Sequence, residues 1–125
     1  MLKITNSERA PKAIGPYSQG VILNNFLFLS GQIPINPKTG EIQGQDVTEQ
    51  AKQVMENIKA VLEASDYGYA KVIKTTCFLH DMKDFESFNK VYEKYFVSKP
   101  ARSCVAVKGL PKNVLCEVEV IAYIN

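Results

Sequence analysis

The spacing of apolar residues changes twice along this chain, from the two-residue repeat of a β-strand to the three- or four-residue repeat of an α-helix. The first helix is predicted from about Val47 to Ala64, where Asp46 and Glu49 at its start resemble a capping box. Its apolar face is formed by Val47, Ala51, Val54, Ile58, Val61 and Leu62. The apolar stripe of the second helix is formed by Phe85, Phe88, Val91, Tyr92, Tyr95 and Phe96. Pro100 marks the end of that second helix.

Six other segments have the composition or the alternation of strands. They are approximately residues 2–5, 17–23, 26–30, 72–79, 103–107 and 114–123. Asn24 and Asn25 predict a hairpin between the second and third segments, and the stretch 31–45 predicts a loop. The predicted order is β-β-β-α-β-α-β-β, an α+β fold in which a six-stranded mixed sheet carries two helices on one face. A chain of 125 residues fits a single domain, 1–125.

The strands are apolar on both faces, although two helices can cover only one face of such a sheet. Val118 and Val120 are predicted to point one way, and Leu115 and Ile121 the other. An uncovered apolar sheet face is adhesive. We therefore expect a homo-oligomer that buries it.

Charge and hydropathy narrow the classes of partner. The chain has 15 basic and 13 acidic residues, a net charge of +2, and its lysines are scattered. This distribution disfavours nucleic acid, because nucleic-acid-binding domains concentrate basic residues on one surface. No apolar stretch approaches the ~20 residues needed to span a bilayer, and residues 1–9 lack the apolar centre of a signal peptide. No membrane contact is expected.

The cysteines predict neither a metal site nor a nucleophile. Cys77, Cys104 and Cys116 are widely spaced without a C-x-x-C pair, and His80 is the only histidine, so zinc is not expected. Free thiols fit a reducing cytoplasm best. A nucleophilic Cys104 would need a nearby base, and His80 stands at the end of another predicted strand. Inert buried thiols are the favoured interpretation.

Arg102 is one of only two arginines and lies where a loop enters a predicted strand. A guanidinium group there can hold a substrate carboxylate through two parallel hydrogen bonds. The alternative, favoured on spacing alone, is a structural arginine paired with Asp or Glu.

Glu117 and Glu119 stand two residues apart on a predicted strand, so they project from the same face. Burying an unpaired carboxylate is costly, which favours a general base or a water-holding group next to a cation. A solvated sheet edge or a salt-bridged subunit interface explains the pair equally well.

Four further positions are ambiguous taken singly. Tyr17 can hydrogen-bond a ligand or pack at the rim of the core. Ser30 and Gly31 end a predicted strand, where backbone N–H groups can approach a ligand or form a tight turn. Asn89 falls between the stripe positions and points to a site or to water. Phe85 belongs to the stripe and is assigned to packing.

Taken together and in order, these residues resemble the RidA/YjgF family over nearly the whole chain. The matching segments are Ala10–Gly20 (APKAIGPYSQG), Ser30–Pro34 (SGQIP), Asn36–Gly40 (NPKTG), Val72–Thr76 (VIKTT), Asp84 and Phe85 with Asn89, Pro100–Ser103 (PARS), Leu110–Lys112 (LPK) and Glu117–Glu119 (EVE). The PARS segment followed by LPK and the Glu-x-Glu strand is the specific part. The connector 97–99 is shorter than is usual for the family.

The resemblance implies a chorismate-mutase-like fold and a homotrimer with its three sites between subunits. It also implies hydrolysis of 2-aminoacrylate and 2-aminocrotonate, the enamines released by serine and threonine dehydratases, to 2-keto acids and ammonia without cofactor or metal. By position, Arg102 would hold the substrate carboxylate, and Glu117 would hold and activate the attacking water. The pocket would be lined by Tyr17, Ser30, Gly31, Phe85, Asn89 and the backbone of Cys104.

Three other functions are weighed against this one. A ribonuclease or translation inhibitor would want a basic groove and an acid–base pair, which the sequence does not display. A non-enzymatic keto-acid sensor or chaperone-like protein could use the same arginine, but would not need Glu117. A chorismate mutase would need a site rich in cations, and arginine is scarce here.

Overall fold

The computed structural model describes residues 2–124, so Met1 and Asn125 of the expected 1–125 domain lie outside it. The elements in chain order are β1 (Leu2–Thr5), β2 (Gly20–Leu23), β3 (Phe26–Leu29), α1 (Val47–Ala64), β4 (Val72–Leu79), α2 (Phe85–Tyr95), β5 (Ala101–Ala106) and β6 (Cys116–Tyr123). The strands form one sheet in the order β1-β2-β3-β6-β4-β5. Only the β4–β5 pair is parallel among the strand pairs of residues 2–124, and α2 makes the crossover between these two strands. The predicted α+β fold with a mixed six-stranded sheet is confirmed.

Local sequence explains the main turns and caps. Asp46 caps α1, since its carboxylate accepts the backbone N–H of Glu49 at 2.8 Å. The return bond of a capping box is displaced by one residue, because Glu49 accepts from the backbone of Gln45 at 3.5 Å instead of from the cap residue. The hairpin is also confirmed, with Asn24 in the left-handed region (φ 54°) that asparagine tolerates.

Three strands begin two or three residues away from their predicted starts. The strand predicted from Tyr17 begins only at Gly20, because the segment before it turns inward and buries the side chain of Gln19. The Gln19 amide accepts from the backbone of Ser7 at 2.6 Å and donates to the carbonyl of Pro11 at 2.8 Å. β5 begins two residues earlier than predicted, and β6 begins two residues later.

The two faces of the sheet differ as expected. Both helices pack on one face, where Val118 and Val120 are buried in the core. The large apolar residues on the other face that remain exposed are Leu2, Ile4, Leu23, Phe26, Phe28, Ile73, Val105 and Tyr123. Ile121 lies on this open face opposite Phe28. The prediction for Leu115 was wrong, because it precedes the strand and packs against the core.

Buried amide side chains hold the long connection from β3 to α1. Asn57, fully buried on α1, donates to the carbonyls of Ile33 and Ile35 at 3.0 and 2.9 Å. Gln50 donates to the carbonyl of Gly44 at 3.2 Å. A loop that carries few apolar anchors is thereby tied to a helix. No helix within residues 2–124 is both long and apolar enough to cross a bilayer.

Candidate active site

Arg102 lies on β5 beside helix α2, in what we name the arginine cluster: Arg102, Asn89, Phe85 and Tyr92. Its Nη1 donates to Oδ1 of Asn89 at 2.7 Å. The guanidinium carbon lies 4.7 Å from the ring centre of Tyr92 and 5.5 Å from that of Phe85. Both rings offer a face to the cation, an attractive arrangement. The guanidinium group is therefore held on one side by an amide and two aromatic rings.

The positive charge of Arg102 has no carboxylate partner within residues 2–124. The ion pair found there joins Arg9 to Glu63 at 3.2 Å on the surface. We considered that Arg102 could be a structural arginine paired with Asp or Glu. Within residues 2–124 its hydrogen-bond partner is instead the neutral Asn89. Arg102 borders a cavity of about 400 Å³, and the other lining residues are Asn89, Tyr92, Glu93, Phe96, Val97, Lys99 and Pro100. An unneutralised guanidinium at a cavity is suited to binding an anion.

A second cavity, also of about 400 Å³, lies on the open side of the sheet. It is lined by Tyr17, Ser30, Gly31, Ile33, Pro111, Glu117 and Glu119. We name four of these, Glu117, Gly31, Ser30 and Tyr17, the glutamate cluster. Tyr17, Ser30 and Gly31, which the resemblance assigns to the pocket, therefore share a cavity with Glu117.

Gly31 is in direct contact with the Glu117 carboxylate. A methyl group added at Gly31 would overlap Oε2 of Glu117 and lie 2.9 Å from its Cδ. Ser30, next to it, donates its hydroxyl proton to the carbonyl of Ser18 at 2.6 Å. The Ser30 oxygen can therefore offer only lone pairs to a ligand, so it is fitted to accept a hydrogen bond from a substrate N–H.

Glu117 and Glu119 point to the same face of the sheet, as predicted, and their strand β6 is an interior strand. β6 pairs with β3 on one side and β4 on the other, so the sheet-edge interpretation is wrong. Burial raises the pKa of the half-buried Glu117, and the like charge of Glu119 raises that pKa further. A carboxyl group whose pKa is raised toward 7 is better matched to proton exchange at neutral pH.

The two clusters lie on opposite faces of the sheet. On β4, Thr75 is the partner of Arg102 and Phe78 is the partner of Glu117. Thr75 and Phe78 are three residues apart, and side chains three apart on a strand point to opposite faces. A single chain therefore does not bring Arg102 and Glu117 into one pocket.

The thiols and the histidine offer no strong nucleophile. Cys77 and Cys116 are buried, and burial raises the pKa of each to about 12. Cys104 is half-buried opposite Cys77, and its pKa is also raised by burial, with a smaller opposing effect from Arg102. His80 is exposed at the end of β4. No set of three or more potential metal-binding side chains is grouped within residues 2–124.

Sequence reasoning missed two contributors to these clusters. The sequence pattern assigns Tyr92 to packing and Thr75 to a strand, yet the Tyr92 ring contacts Arg102 and its phenol is hydrogen-bonded to Thr75 at 2.7 Å. The strand register would have been needed to find Thr75. The four-residue spacing from Phe88 to Tyr92 is equally typical of packing, so the helix pattern alone did not distinguish Tyr92.

Comparison with known proteins agrees with the sequence resemblance. The family model described as Endoribonuclease L-PSP matches residues 7–124. A RutC family protein of Pyrococcus horikoshii is 56% identical over 124 residues, covering 98% of each chain. A protein of Escherichia coli named 2-iminobutanoate/2-iminopropanoate deaminase is 49% identical over 126 residues, again covering 98% of each.

A solved structure shows the same likeness in three dimensions. The crystal structure of Escherichia coli TdcF with bound serine aligns with a TM-score of 0.93 and 46% identity, covering 98% of this chain and 99% of that one. The match therefore extends over nearly the whole chain, sheet and helices included. This chain therefore belongs to the RidA/YjgF family, whose sequence model bears the description Endoribonuclease L-PSP.

Proposed function

We propose that this protein hydrolyses small enamine and imine intermediates of amino acids, 2-aminoacrylate and 2-aminocrotonate among them, to 2-keto acids and ammonia. The observation that carries the proposal is the guanidinium group of Arg102, which borders a cavity without a carboxylate partner in residues 2–124. The name of the Escherichia coli relative states this reaction class. The serine bound to TdcF is likewise a small molecule with an α-carboxylate.

We also propose that the working form is a homotrimer with its sites between subunits, as the family resemblance implies. The exposed apolar face of the sheet supports an oligomer, because leaving it in water is unfavourable. The opposite orientation of Arg102 and Glu117 supports shared sites, since one subunit would supply the arginine cluster and its neighbour the glutamate cluster. Light scattering should give a mass of three chains of 14.0 kDa each; a monodisperse monomer would contradict this assembly.

In the proposed site Arg102 binds the substrate carboxylate through two N–H groups that Asn89 does not use. The enamine tautomerises to the imine, whose nitrogen donates to the lone pairs of Ser30. This fixes the imine carbon in front of a water held by Glu117.

Glu117 then acts as a proton relay. Its carboxylate takes a proton from the water as the oxygen attacks the imine carbon, which forms a carbinolamine. Once Glu117 has passed that proton to the nitrogen, it carries the hydroxyl proton of the carbinolamine to the same nitrogen, the C–N bond breaks, and ammonia leaves as the carbonyl forms. Because such imines also hydrolyse in water, positioning and one proton relay are sufficient for catalysis. These steps assign no task to a metal or cofactor.

The test is a coupled assay in which a serine or threonine dehydratase releases the enamine and keto-acid formation is followed by absorbance. We expect faster release with this protein, and a loss of about 100-fold or more in Arg102→Ala with the oligomer intact, because the carboxylate is no longer oriented. Surface Arg9→Ala is the matched control and should retain wild-type rates. Binding of 2-oxobutanoate by the wild type without any acceleration would instead establish the keto-acid sensor.

A further inference from the structure

Tyr92 contacts the proposed substrate-binding arginine but has no task in the mechanism above. Its ring centre lies 4.7 Å from the Arg102 guanidinium carbon, the closer of the two aromatic contacts. The side chain is only 9% exposed, so it offers little surface to a substrate. Although Tyr92 also lines the cavity that Arg102 borders, its contact with the guanidinium group gives it an indirect route to a ligand carboxylate.

Two contacts fix the Tyr92 ring. Its phenol is hydrogen-bonded to the hydroxyl of Thr75 at 2.7 Å in a buried position. Its face stacks on Phe96 with ring centres 4.3 Å apart and 30° between the planes. The ring therefore cannot rotate or slide without losing a buried hydrogen bond or a stacking contact.

Thr75, Tyr92 and Arg102 form a closed circuit of contacts. Thr75, fully buried on β4, is directly opposite Arg102 on β5. The Thr75 hydroxyl is hydrogen-bonded to the Tyr92 phenol, and the Tyr92 ring lies against the Arg102 guanidinium group. The backbone of Arg102 in turn pairs with that of Thr75, so the three residues are linked in a ring. A long arginine side chain otherwise has several rotamers, so this circuit limits the directions in which the cation can point.

We infer that Tyr92 and Thr75 are positioning residues that aim the Arg102 guanidinium at the substrate carboxylate. Asn89 holds one edge of the guanidinium, and the Tyr92 ring sets its plane. The edge left free can then present two parallel N–H groups to a carboxylate, a geometry that requires a fixed plane. The inference deepens the proposed function and rests on it.

The test compares a charged ligand with a neutral one by isothermal titration calorimetry. The probes are 2-oxobutanoate and its amide, 2-oxobutanamide. We expect Tyr92→Phe and Thr75→Val, which remove the same hydrogen bond, each to weaken 2-oxobutanoate binding about two- to tenfold, the effect of one hydrogen bond. Binding of the amide should not change, and in the coupled assay KM should rise by more than kcat falls.

Two controls separate positioning from general damage. Tyr95→Phe removes a phenol from the same helix, one that donates to Glu56 at 3.2 Å, and should leave both affinities unchanged. In an Arg102→Ala background, Tyr92→Phe should cause no further loss of 2-oxobutanoate affinity.

The outcomes decide between the two proposals. A wild type that turns over enamine, together with a Tyr92→Phe variant of unchanged 2-oxobutanoate affinity, overturns this inference alone. Equal losses for keto acid and amide also overturn it, because they indicate a damaged pocket. A wild type that neither accelerates keto-acid release nor binds 2-oxobutanoate overturns the proposed function and this inference with it.

Discussion

The arginine cluster and the glutamate cluster are built in different ways. The arginine cluster joins a strand to the helix that follows β4, and its rings are continuous with the core. The glutamate cluster joins a strand to loops on the open side of the sheet, and those loops depend on hydrogen bonds such as that from Ser30 to Ser18. The Arg102 guanidinium group is thus held by packing against aromatic rings. The Glu117 carboxylate lies instead against Gly31 and is partly shielded from water. One chain can carry both because they lie on opposite faces.

The largest expected effect tests whether the two clusters meet across subunits. Arg102→Ala and Glu117→Gln should each be inactive alone, yet co-assembly of the two variants should restore activity. If each site draws its two halves at random from neighbouring chains, about one quarter of the sites contain both intact clusters. The measurement is the coupled assay after the mixed subunits have been unfolded and refolded together.

The control for this mixture is a chain that carries both substitutions. Mixed with Arg102→Ala, it supplies no intact arginine cluster and should restore nothing. If the two single variants also fail to restore activity, while light scattering shows mixed oligomers, the two clusters do not complete one site across a subunit boundary and the proposed shared site is wrong.

A smaller effect is expected when only the glutamate cluster is distorted. Gly31→Ala would push the added methyl group into the Glu117 carboxylate, which must swing away. We expect kcat/KM to fall by about 100-fold, as for a catalytic group displaced by about 1 Å, with little change in the midpoint of thermal unfolding, since the side chain can move. Gly68→Ala is the matched control, because its added methyl would meet nothing within 4 Å. Unchanged activity in Gly31→Ala would show that the contact is not needed for catalysis.

The smallest expected effect concerns how the stability contributed by the glutamate cluster depends on pH. The folded-state pKa of Glu117 is raised, so ionisation disfavours the folded state once the pH exceeds the unfolded-state pKa. This penalty is absent in strong acid, grows as the pH rises toward the folded-state pKa, and is complete above it. Glu117→Gln should therefore raise the unfolding midpoint at pH 7 and leave it nearly unchanged at pH 4.

Glu119→Gln is the companion variant, since Glu119 is exposed and contributes the smaller part of the shift. Its midpoint should rise less than that of Glu117→Gln. A midpoint that falls at pH 7 in Glu117→Gln would mean that a cation, such as that of a neighbouring subunit, stabilises the carboxylate.

Periodicity predicted the helices and the sheet because those elements bury regular faces. It failed at Tyr17, where the burial of Gln19 draws the chain out of the sheet before β2 begins. Residue chemistry singled out Arg102 and Glu117 as candidates, and the family resemblance implies their roles. Only the strand register shows that the two side chains lie on opposite faces of the sheet. The partner of Arg102 was not predictable from spacing either, because Asn89 is brought to it by the packing of α2 on the sheet.

The strand–helix–strand unit from β4 to β5 has a further consequence for the order in which the molecule forms. Its hydrogen bond between Asn89 and Arg102 joins two residues 13 positions apart in the chain. The contact between Gly31 and Glu117 joins two residues 86 positions apart. Closing the longer loop costs about 2 kcal/mol more in chain entropy. We therefore expect the arginine cluster to be in place early in folding, and the glutamate cluster to be completed only when the last strand enters the sheet.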